Sequence, residues 1–116
     1  MNVKDLEVYK KAYELALSIY EYAKTMPNDE KYELTSQIRR AATSIPINIA
    51  EGYGKKENQQ EFKRYLMIAK GSSAEMQVLI DLCKDLGYMQ ESHHKVYSER
   101  YEEISKMLSG LIKTIG

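Results

Sequence analysis

The 116-residue chain contains no tryptophan, one cysteine and two prolines, and it has no excess of charge of either sign. The single Cys83 excludes an intramolecular disulfide and is typical of proteins from a reducing compartment. Lysine plus arginine and aspartate plus glutamate both number 17, so the overall charge provides no argument for binding to nucleic acid or to an anionic membrane. Any basic surface must therefore be a local one.

Long apolar runs are also lacking. No run approaches the roughly 20 residues that a helix needs to span a membrane. Residues 1–5 do not have the apolar character of a signal peptide. We therefore expect a cytoplasmic protein with no membrane partner. A chain of this length forms one domain, over residues 1–116, and buries about two thirds of its unfolded surface.

The few prolines and glycines divide the chain into four apolar, helix-forming segments. Breaks are expected at Pro27, at Gly52 and Gly54, and at Gly87, while Asn58 begins a capping motif for the third helix. The alternation of β-branched residues that is typical of strands is absent. The sequence therefore predicts an all-α, antiparallel up-down four-helix bundle, with helices over about residues 5–26, 29–53, 58–87 and 91–115.

The second helix combines a core-forming seam with a proline. Its seam consists of residues that are three or four apart: Ile38, Ala42, Ile45 and Ile49. Pro46 lies beside this seam and has no backbone N–H to donate to the Ala42 carbonyl. We therefore predict a kink in helix 2 near Pro46.

Helices 1 and 3 are more apolar than a lone bundle requires. Helix 1 has a first seam (Leu6, Tyr9, Tyr13, Ala16, Tyr20 and Ala23) and a second seam (Val8, Ala12, Leu15, Ile19, Tyr22 and Met26). Helix 3 is apolar nearly all round, and its flank comprises Tyr65, Ile68, Ser72, Leu79, Leu82 and Leu86. Such helices are buried on most sides. We expect other subunits to cover the second seam of helix 1 and the flank of helix 3, which predicts a homo-oligomer.

No residues have the pattern of a catalytic or metal site. Glu91 and His94 have the spacing of two metal ligands in di-iron bundles, but such a site needs a second pair and two further glutamates. The only histidines are the adjacent His93 and His94, at a helix start. Cys83 lies on the core seam of helix 3 and is expected to be a buried structural thiol. We therefore predict a non-enzymatic protein without catalytic residues, cofactor or metal.

The charged residues of helices 2 and 3 allow two interpretations. Glu75 lies among apolar residues, where a lone carboxylate is costly, so Arg39 or Arg40 could pair with it and Glu51 could join them. Alternatively, residues 39–70 contain seven basic and three acidic residues, a net charge of +4. A nucleic-acid-binding patch would then comprise Arg39, Arg40, Lys55, Lys56, Lys63 and Arg64.

Three segments resemble a known family. They are residues 37–52 (QIRRAATSIPINIAEG), 5–9 (DLEVY) and 69–75 (AKGSSAE). They resemble the bacterial four-helix-bundle family encoded in 23S rRNA intervening sequences, which is often labelled a ribosomal protein. That family is similar to the accessory variability determinant protein of diversity-generating retroelements, a ring of five bundles that binds RNA and reverse transcriptase. The resemblance implies a four-helix bundle and a pentameric ring.

Two functions remain open at this point. The first is a self-associating scaffold or adaptor, with another copy of itself or another protein as partner. The alternative is an RNA- or DNA-binding ring that uses the basic residues of helices 2 and 3.

Overall fold

The computed structural model describes residues 2–26 and 31–116 of the chain. A short 3-10 helix at Val3–Asp5 precedes four α-helices: α1 (Glu7–Ala23), α2 (Lys31–Gly54), α3 (Gln59–Asp85) and α4 (Glu91–Thr114). The bundle measures 46 × 22 × 20 Å, and the described residues contain no β-strand. The prediction of an all-α, up-down four-helix bundle is confirmed.

The helix ends follow the local signals in the sequence. Predicted and observed ends differ by three residues at most, at the end of α1, and the predicted start of helix 2 at residue 29 lies outside the described residues. The Asn58 side chain caps α3 by accepting a hydrogen bond from the Glu61 backbone N–H at 3.1 Å. Gly87 adopts a φ of 82° after α3, a conformation that side chains disfavour. It closes α3 as predicted.

α2 continues through Pro46 as one uninterrupted helix. Side chains supply hydrogen bonds to the surrounding turns: the Thr43 hydroxyl donates to the Arg39 carbonyl at 2.8 Å, and the Asn48 amide donates to the Ser44 carbonyl at 2.8 Å. Neither bond reaches the Ala42 carbonyl, to which Pro46 cannot donate. The kink near Pro46 stays a prediction.

The core lies along the centre of the bundle. α1 packs on α2 and α4, and α3 packs on the same two helices, so α1 and α3 are diagonal to each other. Several core side chains are completely buried: Ile45, Ile49, Leu66, Met76, Ile80, Cys83 and Leu108. Every helix except α1 contributes to this set, and α1 adds Ile19 at 2% exposure.

A layer of serines crosses the bundle within this apolar core. The hydroxyls of Ser44 and Ser72 are hydrogen-bonded at 2.8 Å and join α2 to α3. Those of Ser73 and Ser105, also 2.8 Å apart, join α3 to α4, and Ser73 donates to the Tyr101 carbonyl at 3.1 Å. The hydroxyl of each of these four serines therefore has a hydrogen-bond partner, as polar groups in a protein interior normally do. We call these four serines the serine layer.

The structure corrects the assignment of the two seams of helix 1. The second seam, which we expected other subunits to cover, is buried within the chain at Val8, Leu15 and Ile19. The first seam instead exposes Tyr13 and Tyr20. Only one seam can face the centre. Aliphatic side chains fit that place better than tyrosines, whose hydroxyls need polar partners when buried.

Candidate interaction surfaces

An apolar groove of about 360 Å³ runs along the outside of α1 and α2. We call it the α1–α2 groove. Its lining comes from Tyr9, Tyr13, Ala16, Leu17 and Tyr20 of α1 and from Thr43, Pro46, Ile47 and Ala50 of α2. Leu17 and Ile47 are 56% and 58% exposed, unusually high values for large aliphatic side chains. The groove is therefore an apolar surface that the single chain leaves uncovered.

Helical spacing explains how the sequence builds the groove. Tyr13, Leu17 and Tyr20 are four and three residues apart, so they share one face of α1. On α2, Ile47 and Ala50 follow Thr43 at the same spacing. Leu17 and Ile47 belong to none of the seams predicted for helices 1 and 2, because those seams contain only residues expected to face a neighbouring helix. Their spacing from the tyrosines of α1 and from Thr43 was the available signal.

α3 presents a second apolar surface. Its exposed residues are Met67 at 58%, Ile68 at 40%, Val78 at 60% and Leu82 at 45%. Gly71 and Ala74 lie between them and are also exposed. We call these six residues the α3 outer face. Of the predicted flank of helix 3, Ile68, Leu82 and Leu86 are exposed, whereas Ser72 and Leu79 are buried inside the chain.

Arg39 lies against the α1–α2 groove. Its guanidinium carbon is 5.0 Å from the ring centroid of Tyr20, which lines the groove. This is a cation–π contact. The Nε atom of Arg39 is buried and has no hydrogen-bond partner among the residues that the structure describes. Buried guanidinium groups normally have acceptors, so this arginine retains an unused donor.

Glu75 is exposed and lies on the same side of α3 as the outer face, three residues before Val78. Within residues 2–26 and 31–116, no ion pair joins Arg39 or Arg40 to Glu51 or Glu75. The desolvation that motivated the pairing is therefore not present in a single chain. Pairing between these residues stays a prediction, and it would need a contact between chains.

Basic and aromatic residues gather at the end of the bundle where α2 leads into α3. The Lys56 ammonium is 4.1 Å from the ring centroid of Tyr53. Lys55 and Arg64 both contact the ring of Tyr65, at 5.3 and 4.5 Å. We call these five residues the basic cluster. The structure thus brings three of the six predicted nucleic-acid-binding residues together.

The remaining predicted residues are less closely grouped. Lys63 is half-buried on the first turns of α3 and makes none of these aromatic contacts. Arg40 is exposed on α2, and the distance from it to Lys55 along the helix is about 22 Å at the usual rise per residue. The predicted patch is therefore divided between the groove and the end of the bundle.

Arg64 is partly neutralised by Glu61. The two side chains form hydrogen bonds of 2.9 and 3.2 Å between the guanidinium and both carboxylate oxygens. The hydrogen bond from Arg64 lowers the pKa of the Glu61 carboxyl, and the same contact raises the pKa of Arg64. Lys55 and Lys56 therefore provide most of the available positive charge in the basic cluster.

Cys83, His93 and His94, the residues most often used in catalysis, are buried or packed against other side chains. Cys83 is completely buried, and burial raises the pKa of its thiol to about 11, so the reactive thiolate is disfavoured. His94 Nε2 lies 2.6 Å from Asp81 Oδ1 and links α4 to α3. The ring of His93 packs on that of Tyr22, with centroids 4.9 Å apart.

Among residues 2–26 and 31–116, no three histidine, cysteine, aspartate or glutamate side chains are grouped so that they could hold a metal ion. None of the described helices combines the length and the apolar character needed to cross a membrane.

Comparison with known proteins identifies relatives over nearly the whole chain. The profile of the 23S rRNA-intervening sequence protein family matches residues 4–110. A crystal structure of a protein of unknown function from the S23 ribosomal protein family of Bacteroides thetaiotaomicron VPI-5482 is similar, with a TM-score of 0.84 and 28% sequence identity. The alignment covers 91% of this chain and 98% of that one. No curated protein matches significantly. The chain belongs to the 23S rRNA-intervening sequence protein family.

Proposed function

We propose that the protein is a non-enzymatic, self-associating helical bundle that acts as a scaffold or adaptor in the cytoplasm. One observation carries this proposal: a single chain leaves two apolar surfaces uncovered, the α1–α2 groove and the α3 outer face. Monomeric proteins rarely expose large contiguous apolar patches. Covering such surfaces is favourable by about 25 cal/mol for each Å² of apolar area.

The composition of the groove supports a protein partner. Three of its lining residues are tyrosines: Tyr9, Tyr13 and Tyr20. Aromatic residues are enriched in protein–protein interfaces, because they combine a large apolar surface with a polar group. A second copy of the chain is the simplest partner, since every copy has both surfaces. We propose a closed ring, and the sequence resemblance favours five copies.

Sedimentation velocity at micromolar concentration tests this proposal. The wild-type chain is expected to sediment as one discrete oligomer. Ile47→Arg places a charge in the groove and should dissociate the oligomer, because a buried unpaired charge is costly. Ser92→Arg adds the same side chain at an exposed position on α4 and should leave the oligomer intact. A monodisperse wild-type monomer would refute the proposal.

A second candidate function is nucleic-acid binding by the basic cluster. It is favoured by the grouping of Lys55, Lys56 and Arg64 around two tyrosine rings at one end of the bundle. Cationic groups contact phosphates, and aromatic rings can stack on unpaired bases. The ligand would be a single-stranded region, since stacking requires bases that are free of a duplex.

Binding of a mixed-sequence RNA oligonucleotide at several salt concentrations tests this candidate. Affinity should fall steeply as salt rises, because binding releases counterions. A variant with Lys55→Gln, Lys56→Gln, Lys63→Gln and Arg64→Gln should lose binding but keep its oligomeric state. The matched control replaces four exposed lysines elsewhere, Lys4, Lys95, Lys106 and Lys113, with glutamine. No RNA retention at low salt, or equal losses in both variants, would exclude the basic cluster as the site.

A further inference from the structure

We infer that self-association is directional: the α1–α2 groove of one copy receives the α3 outer face of the next. In this contact the Arg39 guanidinium at the groove pairs with the Glu75 carboxylate of the neighbouring copy. The inference rests on the proposed self-association and specifies which surfaces meet. It differs from a symmetric contact in which two grooves or two α3 faces meet each other.

Charge complementarity supports this pairing. Arg39 lies beside the groove and makes no ion pair within the described residues. Glu75 lies on the α3 outer side and makes no ion pair within the described residues. Two grooves facing each other would bring arginines together, and two α3 faces would bring glutamates together. Groove against face brings opposite charges together.

The shapes of the two surfaces also suit each other. Gly71 and Ala74 place small residues at the middle of the α3 outer face, and a side chain added at Gly71 would meet nothing within 4 Å. Small residues allow close approach of a helix to its neighbour. Met67 and Val78 project on either side of them along α3. A helix with this profile can lie in an apolar groove between two helices, a common mode of recognition.

The positions of the surfaces permit repetition. The groove involves α1, the face belongs to α3, and these two helices are diagonal within the bundle. One copy can therefore use both surfaces at the same time, with a different neighbour on each. A repeated contact of this type produces a ring when its rotation closes and a filament when it does not.

Charge reversal tests the inference. Arg39→Glu and Glu75→Arg, made separately, each place like charges at the contact and should raise the protein concentration needed for assembly by about 100-fold. The double variant Arg39→Glu/Glu75→Arg restores opposite charges and should recover assembly. In an equimolar mixture, contacts between the two single variants restore opposite charges, but a ring of five cannot alternate and keeps at least one mismatched contact. Assembly should therefore recover only in part.

Controls separate this inference from the proposed function. Lys95→Glu and Glu99→Arg make the same changes in charge at exposed positions on α4 and should not affect assembly. Circular dichroism checks folding; if Arg39→Glu unfolds because Tyr20 loses its contact, the exposed Glu75→Arg still provides the test. An oligomeric wild type that Glu75→Arg leaves unchanged would overturn the directional contact but not self-association. A monomeric wild type would overturn both.

Discussion

Each side of α3 includes residues of the polarity usually found on the other side. Its inner side includes Ser72 and Ser73, which are 9% and 0% exposed. Its outer side includes Met67 and Val78, which are 58% and 60% exposed. The inner hydroxyls are hydrogen-bonded across the bundle, whereas the outer apolar groups have no cover within the chain. A residue's polarity alone therefore does not show which side of this helix it occupies.

The difference between the two sides shows which part of the molecule is complete. The serine layer satisfies its own hydrogen bonds, so this layer is complete within a single copy of the chain. The apolar side chains of the α3 outer face and of the α1–α2 groove are removed from water only when another molecule covers them. Substitutions inside should therefore change folding, and substitutions outside should change association.

The largest expected effect compares Ile80 with Val78 on the same helix. Ile80→Ala removes completely buried methyl groups and should lower the free energy of unfolding by about 2–5 kcal/mol. Val78→Ala should change it by less than about 0.5 kcal/mol. Urea denaturation, at a concentration too low for association, measures both. Similar losses would show that the outer side of α3 is already packed in a single chain.

A smaller effect is expected in the serine layer. Ser73→Ala removes the partner of the Ser105 hydroxyl and should lower the free energy of unfolding by about 1–3 kcal/mol. Ser36→Ala, at an exposed position on α2, should have almost no effect. Thermal unfolding of both variants distinguishes them. No loss from Ser73→Ala would mean that the serine layer does not contribute to stability.

The smallest effect concerns alkaline pH. Burial raises the pKa of the Cys83 thiol to about 11 and also raises that of the Tyr101 hydroxyl. In the unfolded chain, the thiol has a pKa of about 8.5. Keeping the thiol neutral therefore stabilises the folded chain fully below that pH, and this stabilisation is lost as pH rises towards 11. For the thiol, the loss should be at most about 1.4 kcal/mol for each unit of pH in this range.

Denaturation between pH 8 and 11 measures this loss. Tyr101→Phe removes one of the buried ionisable groups and should reduce the dependence of the free energy of unfolding on pH at the alkaline end. Tyr13→Phe, at a position that is 49% exposed, serves as the control and should leave the dependence unchanged. If the free energy of unfolding depends on pH in the same way in the wild type and in both variants, the burial of Tyr101 does not contribute to that dependence.

The sequence predicts the helices well because local signals determine their ends. Asn58 and Gly87 act within a single turn, and their roles were readable from their neighbours. Which of the two seams of helix 1 faces the core could not be read from the sequence, because it depends on how the other helices pack. The exposure of Glu75 in a single chain was not predictable for the same reason. Periodicity identifies a residue's neighbours on its own helix, but not what lies opposite.

The division of the predicted basic patch has a related cause. Arg39 and Lys55 belong to the same segment of the sequence, but the length of α2 keeps them far apart. The turn after α2 brings Lys55 to Tyr65. The contact between Arg39 and Tyr20 depends on the packing of α1 against α2. Net charge along a segment could not distinguish these two locations.

The α1–α2 groove has one wall on each of two helices, so it exists only while these helices are packed together. Whatever fills it binds the folded chain and not the unfolded one. By mass action, the measured stability of the protein should then rise with the concentration of the occupant, by about 2.7 kcal/mol at 100 times the dissociation constant. If that occupant is a second copy, the protein becomes more resistant to unfolding as its own abundance increases.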